Sequence, residues 1–512
     1  MARTRTTGNR WLAGGGILAA TAVLVATAAP AQAGPAPRGT VQISVGLNGA
    51  VPDSQSWSQA VSADGRYALF TSWATNLVSQ PAKSARDAYV RDLRTGRTER
   101  VNLSDDGNAL DGFTDYVAIN ADGRYVAFDS EAADVVPGKQ VQGRGEVYVR
   151  DRRTGRTELV SGGLTSTDTD RFHASYAPSI SANGRYVAFT SSRTDLVPDL
   201  RGGEPSLARP YTWDYNIYVT DRWSGKTRLV TRGVDGAPGD GMSLNPTISA
   251  DGRTIGFTSL AGNLLPAEQT PAPAAPAAKG AAPADVEPAP GTAPAEPRSA
   301  RESAARPDLA RPTTGAYYTY DVGSGRISAA SIDLDGNLGY ASFDATISPD
   351  GRRAVYALPE PGGSTHGHRY HTVLYVRDLG KGTVTKISGG LPGTASVGSS
   401  DHGRITADNR WVYFSSAADN LVAGPQHPDG DWDVYRHDLR TGRTERVATA
   451  PDGSLGNGSS IAPAVDARGR TVVFGSTSGN LTAGAGGPAT ADNQVFARTT
   501  GHHGDADEDG DG

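Results

Sequence analysis

Apolar residues in this chain fall in short runs separated by tight polar turns, and the runs repeat. "SADGRYALF" at 62–70 returns as "NADGRYVAF" (120–128), "SANGRYVAF" (181–189) and "SADGRTIGF" (249–257), then as "SPDGRRAVY" (348–356), "TADNRWVYF" (406–414) and "DARGRTVVF" (466–474). A second element, "YVRDLRTGRTERV" at 89–101, has counterparts at 148–160, 218–230, 318–330, 375–387 and 435–447. Each unit reads as four strands. A strand such as "YAPSIS" (176–181) meets an Ala-Asn-Gly or Ala-Asp-Gly turn, which is hairpin chemistry. "RYVAFTS" then leads through a long loop to "NIYVTD" (216–221), and "RWSG" turns that strand into "KTRLVT". A single four-stranded sheet cannot bury both of its faces, whereas sheets repeated around an axis can. The predicted fold is therefore all-β, a seven-bladed β-propeller of four-stranded antiparallel blades.

The seventh unit lacks a fourth strand. After "NQVFARTT" (493–500) the chain runs into "GHHGDADEDGDG", while "GTVQISVGLNG" (39–49) aligns with fourth strands and has no unit in front of it. The N-terminal strand is expected to complete blade seven, with Val41–Val45 antiparallel to Gln494–Arg498, leaving no exposed sheet edge.

The S-A-D-G-R or S-P-D-G-R element with Y-V-x-D-x-x-T-G-x-T resembles the TolB-like, WD-repeat-like family of bacterial β-propellers. The resemblance covers residues 39–500. It implies the fold more than an activity, because that family hosts binding scaffolds, accessory domains and some enzymes. TolB itself carries an additional N-terminal α/β domain, for which a first strand at residue 39 leaves no room. Many relatives have an Asp/Asn/Gly-rich loop after N-L-V-P-G. "NLVSQPAKSARD" (76–87) and "NLLPAEQTPAP" (263–273) depart from that pattern, so no shared loop ligand is implied.

Flanking composition sets the domains and compartment. Arg3, Arg5 and Arg10, an apolar stretch from Trp11 and "AQA" at 31–33 make residues 1–33 a cleavable signal peptide, leaving no stable membrane anchor. The propeller is expected over 34–500, with a Pro/Ala-rich disordered insertion at 266–313 in blade four and an acidic disordered tail at 501–512. Asp505, Asp507, Asp509 and Gly510 imitate the start of a calcium loop, but its twelfth-place acid is absent. The whole chain carries 49 basic and 55 acidic residues; without residues 1–33 it carries 46 and 55, a charge of −9. That balance disfavours nucleic acid and anionic lipid as partners. There is no cysteine, so an exported chain must rest on its core alone. Expected partners are an envelope or extracellular glycan or protein, bound by a monomer.

Several repeated polar positions invite a functional reading and receive a structural one. Arg66, Arg124, Arg185, Arg253, Arg352, Arg410 and Arg470 follow the turn, and Asp92, Asp151, Asp221, Asp321, Asp378 and Asp438 end third strands. They are expected to pair within blades one to six, with Arg470 facing Thr499 instead. Ser56, Thr114, Ser175, Ser243, Ser342, Ser400 and Ser460 read as turn-capping hydroxyls, since a nucleophile is not needed seven times. No G-x-S-x-G element occurs.

What varies is the start of strand one, where the long loops gather at the mouth of the axial channel. Trp57, Asp115, Tyr116, Tyr176, Asn245, Asp344, Asp401 and His402 are the candidate ligand-binding residues, aromatic rings beside carboxylates and an amide that suit a sugar or peptide. No cofactor is required. The alternative is a divalent metal held by His402 with His366, His368 or His371, all placed on long loops together with His427. Seven-bladed oligogalacturonate lyases resemble this fold, are metal-dependent and use histidines, so the enzyme alternative is a metal-dependent polysaccharide lyase or glycoside hydrolase.

Overall fold

The computed structural model describes residues 39–138, 145–162, 174–198, 215–266, 314–342, 344–361, 370–427, 430–483, 487 and 489–501. The chain divides into two units, residues 1–35 and 36–512. The first unit, the signal peptide expected within it, nearly all of the 266–313 insertion, and the tail beyond Gly501 lie outside the described residues.

The second unit is a seven-bladed β-propeller. Blade one comprises Ser56–Val61, Tyr67–Ser72, Asp87–Asp92 and Thr98–Arg100, hydrogen-bonded in that order from axis to rim. Blades two, three, four and six repeat this order, and the first strands of neighbouring blades touch around the axis. Second strands are buried along nearly their whole length, as in Tyr67–Ser72 and Tyr186–Ser191. Face-to-face packing of blades covers both sides of these strands, which is why they read as apolar runs instead of alternating. Leu69 and Val90 of blade one share one core cluster with Val126 and Phe128 of blade two. Each blade also carries a stacked ring pair, with centroids from 5.6 Å apart in Phe128–Tyr148 to 6.1 Å in Phe474–Phe496. Such pairs each add roughly 0.5–1.5 kcal/mol beyond area burial.

Ring closure follows the expected pairing with a shorter regular ladder. Thr40, Val41 and Gln42 face Arg498, Ala497 and Phe496, and the N–H groups of Ile43 and Ser44 continue onto the Val495 carbonyl. A belt of backbone bonds runs between the short turns. Ala63 donates to Ala121, Ala121 to Ala182, Ala182 to Ala250, Ala250 to Pro349, Ala407 to Ala467, and Ala467 back to Ala63. Pro349 has no N–H to pass on; there the Asn409 amide instead donates to Asp350 at 2.6 Å. Among the described residues the 3-10 turn Leu47–Gly49 is the one helical element described in full, and no helix is long and apolar enough to cross a membrane.

Three expectations need correction. Arginine and aspartate pair in blades one, two, three and six, at 2.6, 2.7, 2.7 and 2.9 Å, but not in blades four and five. In the pairing blades the next residue is Tyr67, Tyr125, Tyr186 or Trp411, and the guanidinium lies over its ring. Arg253 and Arg352 precede Thr254 and Arg353, have no ring to lie on, and turn toward Asp251 and Asp350. Arg470 forms no ion pair among the described residues, as expected from Thr499. Second, the repeated hydroxyls do not cap the short turns. Ser56, Ser175, Ser243, Ser400 and Ser460 hydrogen-bond Ser72, Ser191, Ser259, Ser416 and Ser476 at the far end of strand two. The role is structural, at the other end of the blade. Third, blade five departs from the repeat. Its first strand is only Thr346–Ile347, its middle strands lengthen to Arg353–Pro361 and Tyr370–Asp378, and Tyr340–Ser342 pairs with blade four. His371 therefore sits in a strand opposite Glu360, buried, and not in a loop.

Candidate functional site at the channel mouth

First strands begin at the long-loop end, and most of them break register there. In blades three, four, six and seven the pairing slips between Tyr176 and Ser179, Leu244 and Thr247, Asp401 and Arg404, and Ile461 and Ala464. The residue inside each slip is left-handed: Ala177, Asn245, His402 and Ala462, with φ of 51–52°. A bulge of this kind re-aims a side chain toward the axis at a cost in backbone strain. Because two alanines share the conformation, it belongs to the scaffold, and function depends on which residue is placed in it.

Blades one to three build an aromatic side. Trp57 meets Trp73 edge-on at 5.3 Å, and the Arg86 guanidinium lies 4.9 Å from the first ring and 5.4 Å from the second. Arg86 also pairs with Asp115 at 2.7 Å. Tyr116 and Tyr176 approach to 5.9 Å, and Tyr215 stands edge-on to Tyr176 at 5.2 Å. Beneath them Asp129 accepts the backbone N–H groups of Asp115 and Tyr116, each at 2.9 Å. Burial and then the Asp115 charge push the Asp129 carboxyl up to about 8, against those two donors.

Blades five and six build a charged side. His402 Nδ1 and Asp401 Oδ1 are 2.6 Å apart, and His402 Nε2 is 3.9 Å from Asp344 Oδ2. Arg404 donates to the Gly403 and Asp344 carbonyls at 2.9 and 3.5 Å. Burial disfavours a charged imidazole, but the Asp344 and Asp401 carboxylates outweigh it and raise His402 to about 9. Burial likewise raises Asp401, partly offset by His402. Asp344, Asp401 and His402 are the group among the described residues able to offer three metal ligands, their atoms lying within 4.8 Å of one another.

The eight candidate mouth residues thus fall into two clusters, with Asn245 in the blade-four bulge between them. The loop-histidine metal set lies only partly within the described residues. His366 and His368 lie outside the described residues, and His371 is not in the ligand group. His427 faces Asp433 at 3.4 Å and Asp431 at 3.9 Å within blade six. Arg86, Asp129 and Arg404 were missed, together with Trp73 and Tyr215. Asp129 and Arg404 carried a signal, since each breaks its repeat: Asp129 stands where Thr71, Thr190 and Thr258 stand, and Arg404 where Ser179 and Thr247 stand.

No family model matches the chain, and no curated protein matches it. Solved structures do. A TolB of Agrobacterium tumefaciens is similar at 14% identity and TM-score 0.36, over 81% of this chain and 98% of that one. The β-propeller domain of the Trilobed protease of Pyrococcus furiosus is similar at 13% and 0.44, over 88% and 94%. The acylaminoacyl peptidase of Pyrococcus horikoshii is similar at 12% and 0.41, over 88% of this chain and 53% of that one. The chain is a seven-bladed β-propeller with a TolB among its structural neighbours. It spans about half the length of that peptidase. At these identities the likeness concerns the propeller alone, and the site is read from this chain's own residues.

Proposed function

We propose that this propeller is an exported binding or scaffold protein of the cell envelope or extracellular space, monomeric, holding a glycan or protein ligand at the channel mouth. The observation that carries this reading is the aromatic side of the mouth. Tyr116, Tyr176 and Tyr215 form a connected set of rings on a rigid frame, and Arg86 with Asp115 supplies polar contacts beside them. Rings with a few fixed polar groups suit a sugar face or a peptide side chain. The acidic balance of the chain supports a partner other than nucleic acid. The test is a screen of the mature protein against envelope glycans, plant polysaccharides and secreted proteins, run beside Tyr116→Ala and Tyr176→Ala. Ligand capture that both variants retain would contradict the mouth as the site.

A second reading, a metal-dependent lyase or hydrolase, rests on Asp344, Asp401 and His402. A divalent cation there would compete with the Asp401–His402 hydrogen bond and sit near Arg404, whose charge already helps balance the two carboxylates. Elemental analysis of the purified protein decides it: stoichiometric metal, lost in Asp344→Asn, supports the enzyme, and its absence removes it.

A further inference from the structure

The short-turn face repeats a side-chain stitch between blades and then reverses it once. Arg152 of blade two reaches back to blade one, where its guanidinium lies 4.5 Å from the Tyr67 ring centre and its Nε meets Glu99 at 2.6 Å. It also donates to the Gly123 carbonyl. Arg222 of blade three does the same to blade two, with Tyr125 at 4.5 Å, Glu158 at 2.5 Å and the Gly184 carbonyl. At the next interface the residue in the same backbone position is Val322. Its N–H bonds the Arg253 carbonyl at 2.8 Å, as those of Arg152 and Arg222 bond Arg124 and Arg185. The glutamate is replaced as well: Arg228 faces Val219 in the register where Glu158 faces Val149 and Glu99 faces Val90.

Losing the cation and inverting the anion leaves a cleft of about 450 Å³ between blades three and four. Its lining holds Tyr186, Val322, the three guanidinium groups of Arg185, Arg228 and Arg253, and one carboxylate, Asp251. Arg228 holds the Val322 carbonyl at 3.2 Å by one nitrogen. Arg253 is 82% exposed and meets only the edge of Asp251, at 3.8 Å. Beside them Trp223, 67% exposed, lies 4.9 Å from the Arg185 guanidinium. Among the described residues, no second guanidinium of the Arg152 or Arg222 kind joins Arg185 over the Tyr186 ring. Each of the two neighbouring slots is filled by two of the chain's own side chains, an arginine and the glutamate it pairs with.

We infer that this cleft docks an acidic segment of a partner protein, whose carboxylate pairs with Arg228 and Arg253 while an adjacent apolar side chain lies on Tyr186. Arginine binds carboxylate through two parallel hydrogen bonds, and the open ring supplies the apolar contact. The site is independent of the mouth, since its residues come from the opposite end of the blades.

The probe is an N-acetylated, C-amidated Glu-Leu-Glu peptide, titrated into the full chain and followed calorimetrically, beside the Gln-Leu-Gln version and a glucuronate-bearing disaccharide. The acidic peptide is expected to bind with Kd below about 1 mM, at least about tenfold tighter than the glutamine version. The double variant Arg228→Glu with Val322→Arg rebuilds the stitch of the neighbouring interfaces. It should melt no lower than the parent and bind the peptide about tenfold more weakly. Arg228→Ala gives the same readout should the double variant not fold. Equal binding of the two peptides, unchanged binding by Arg228→Ala, binding of the disaccharide alone, or no binding of any probe each overturns the inference.

Discussion

The two ends of the ring differ in how closely their residues follow the repeat. At the short-turn end the blades are near copies, and five read Asp or Asn, then Gly, then Arg. Blades six and seven change one residue each (Asn409 for the Gly, Arg468 for the Asp) and keep the Arg, and a backbone belt runs from Ala63 through Ala467. At the mouth the position two places after each repeated hydroxyl reads Ser58, Tyr116, Ala177, Asn245, Asp344, His402 and Ala462. A position that must close a turn or join two blades has few solutions. A bulged position at an open end has many, and a chosen chemistry can occupy it. The comparison teaches that, in a repeat protein, a binding residue is best sought where one copy abandons what the others keep. The blade-three to blade-four cleft follows the same rule at the uniform end.

The strongest challenge to this contrast is to open the ring. Removing residues 39–46 exposes the edge of Gln494–Thr499 and uncovers the blade-seven packing of Ile43. The variant should lose its cooperative thermal transition; a sharp melt close to the parent's would contradict closure by the N-terminal strand.

Next in size is a turn glycine. Gly184 has φ of 73°, and a Cβ there would stand 2.4 Å from the Tyr125 ring. Gly184→Val should cost about 3 kcal/mol or more in denaturant unfolding. At the mouth the sign reverses: Ala177→Gly relieves a left-handed alanine at φ 52° and should be neutral or stabilising by up to about 1 kcal/mol. Comparable losses in both variants would erase the distinction between the ends.

A third effect follows pH. His402 is raised to about 9 in the folded state against about 6.5 unfolded. A raised group contributes its full stability below the unfolded value and loses it as pH climbs through the folded one. The melting-temperature advantage of the parent over His402→Gln should therefore shrink between about pH 6.5 and 9. Asp129, pushed up to about 8, titrates in the same window, so the comparison is repeated in an Asp129→Asn background. An advantage that grows with pH would show that Asp344 and Asp401 do not hold the imidazolium.

The smallest effect separates the arginines. Arg124→Ala removes a cation that holds the Asp151 carboxyl down to about 2, and should lower the melting temperature measurably. Arg352→Ala removes a side chain with no third-strand partner and should leave it unchanged. Equal shifts would refute the link between pairing and the following aromatic ring.

Blade number, strand order and the closing strand were legible because each is stated seven times, or conspicuously six, in the sequence. The shortened first strand of blade five was not, because its repeat element "SPDGRRAVY" is intact while Tyr340–Ser342 pairs with the blade before. At the mouth, Trp57, Tyr116, Tyr176, Asp401 and His402 could be found by counting back from each turn. Asp129 and Arg404 could have been found the same way, as breaks in the repeat. Arg86, Trp73 and Tyr215 could not: they lie in stretches of unequal length, and only packing brings them beside Trp57 and Tyr176.

The central claim is that ligand enters at the mouth. It is tested most directly by screening one immobilised panel of envelope glycans, plant polysaccharides and secreted proteins with three proteins. These are the parent, Tyr116→Ala/Tyr176→Ala, and Arg228→Glu/Val322→Arg. The claim predicts a ligand captured by the parent and by the cleft variant but lost by the mouth variant, with all three melting within a few degrees of one another. Capture that survives the tyrosine replacements undiminished would contradict it.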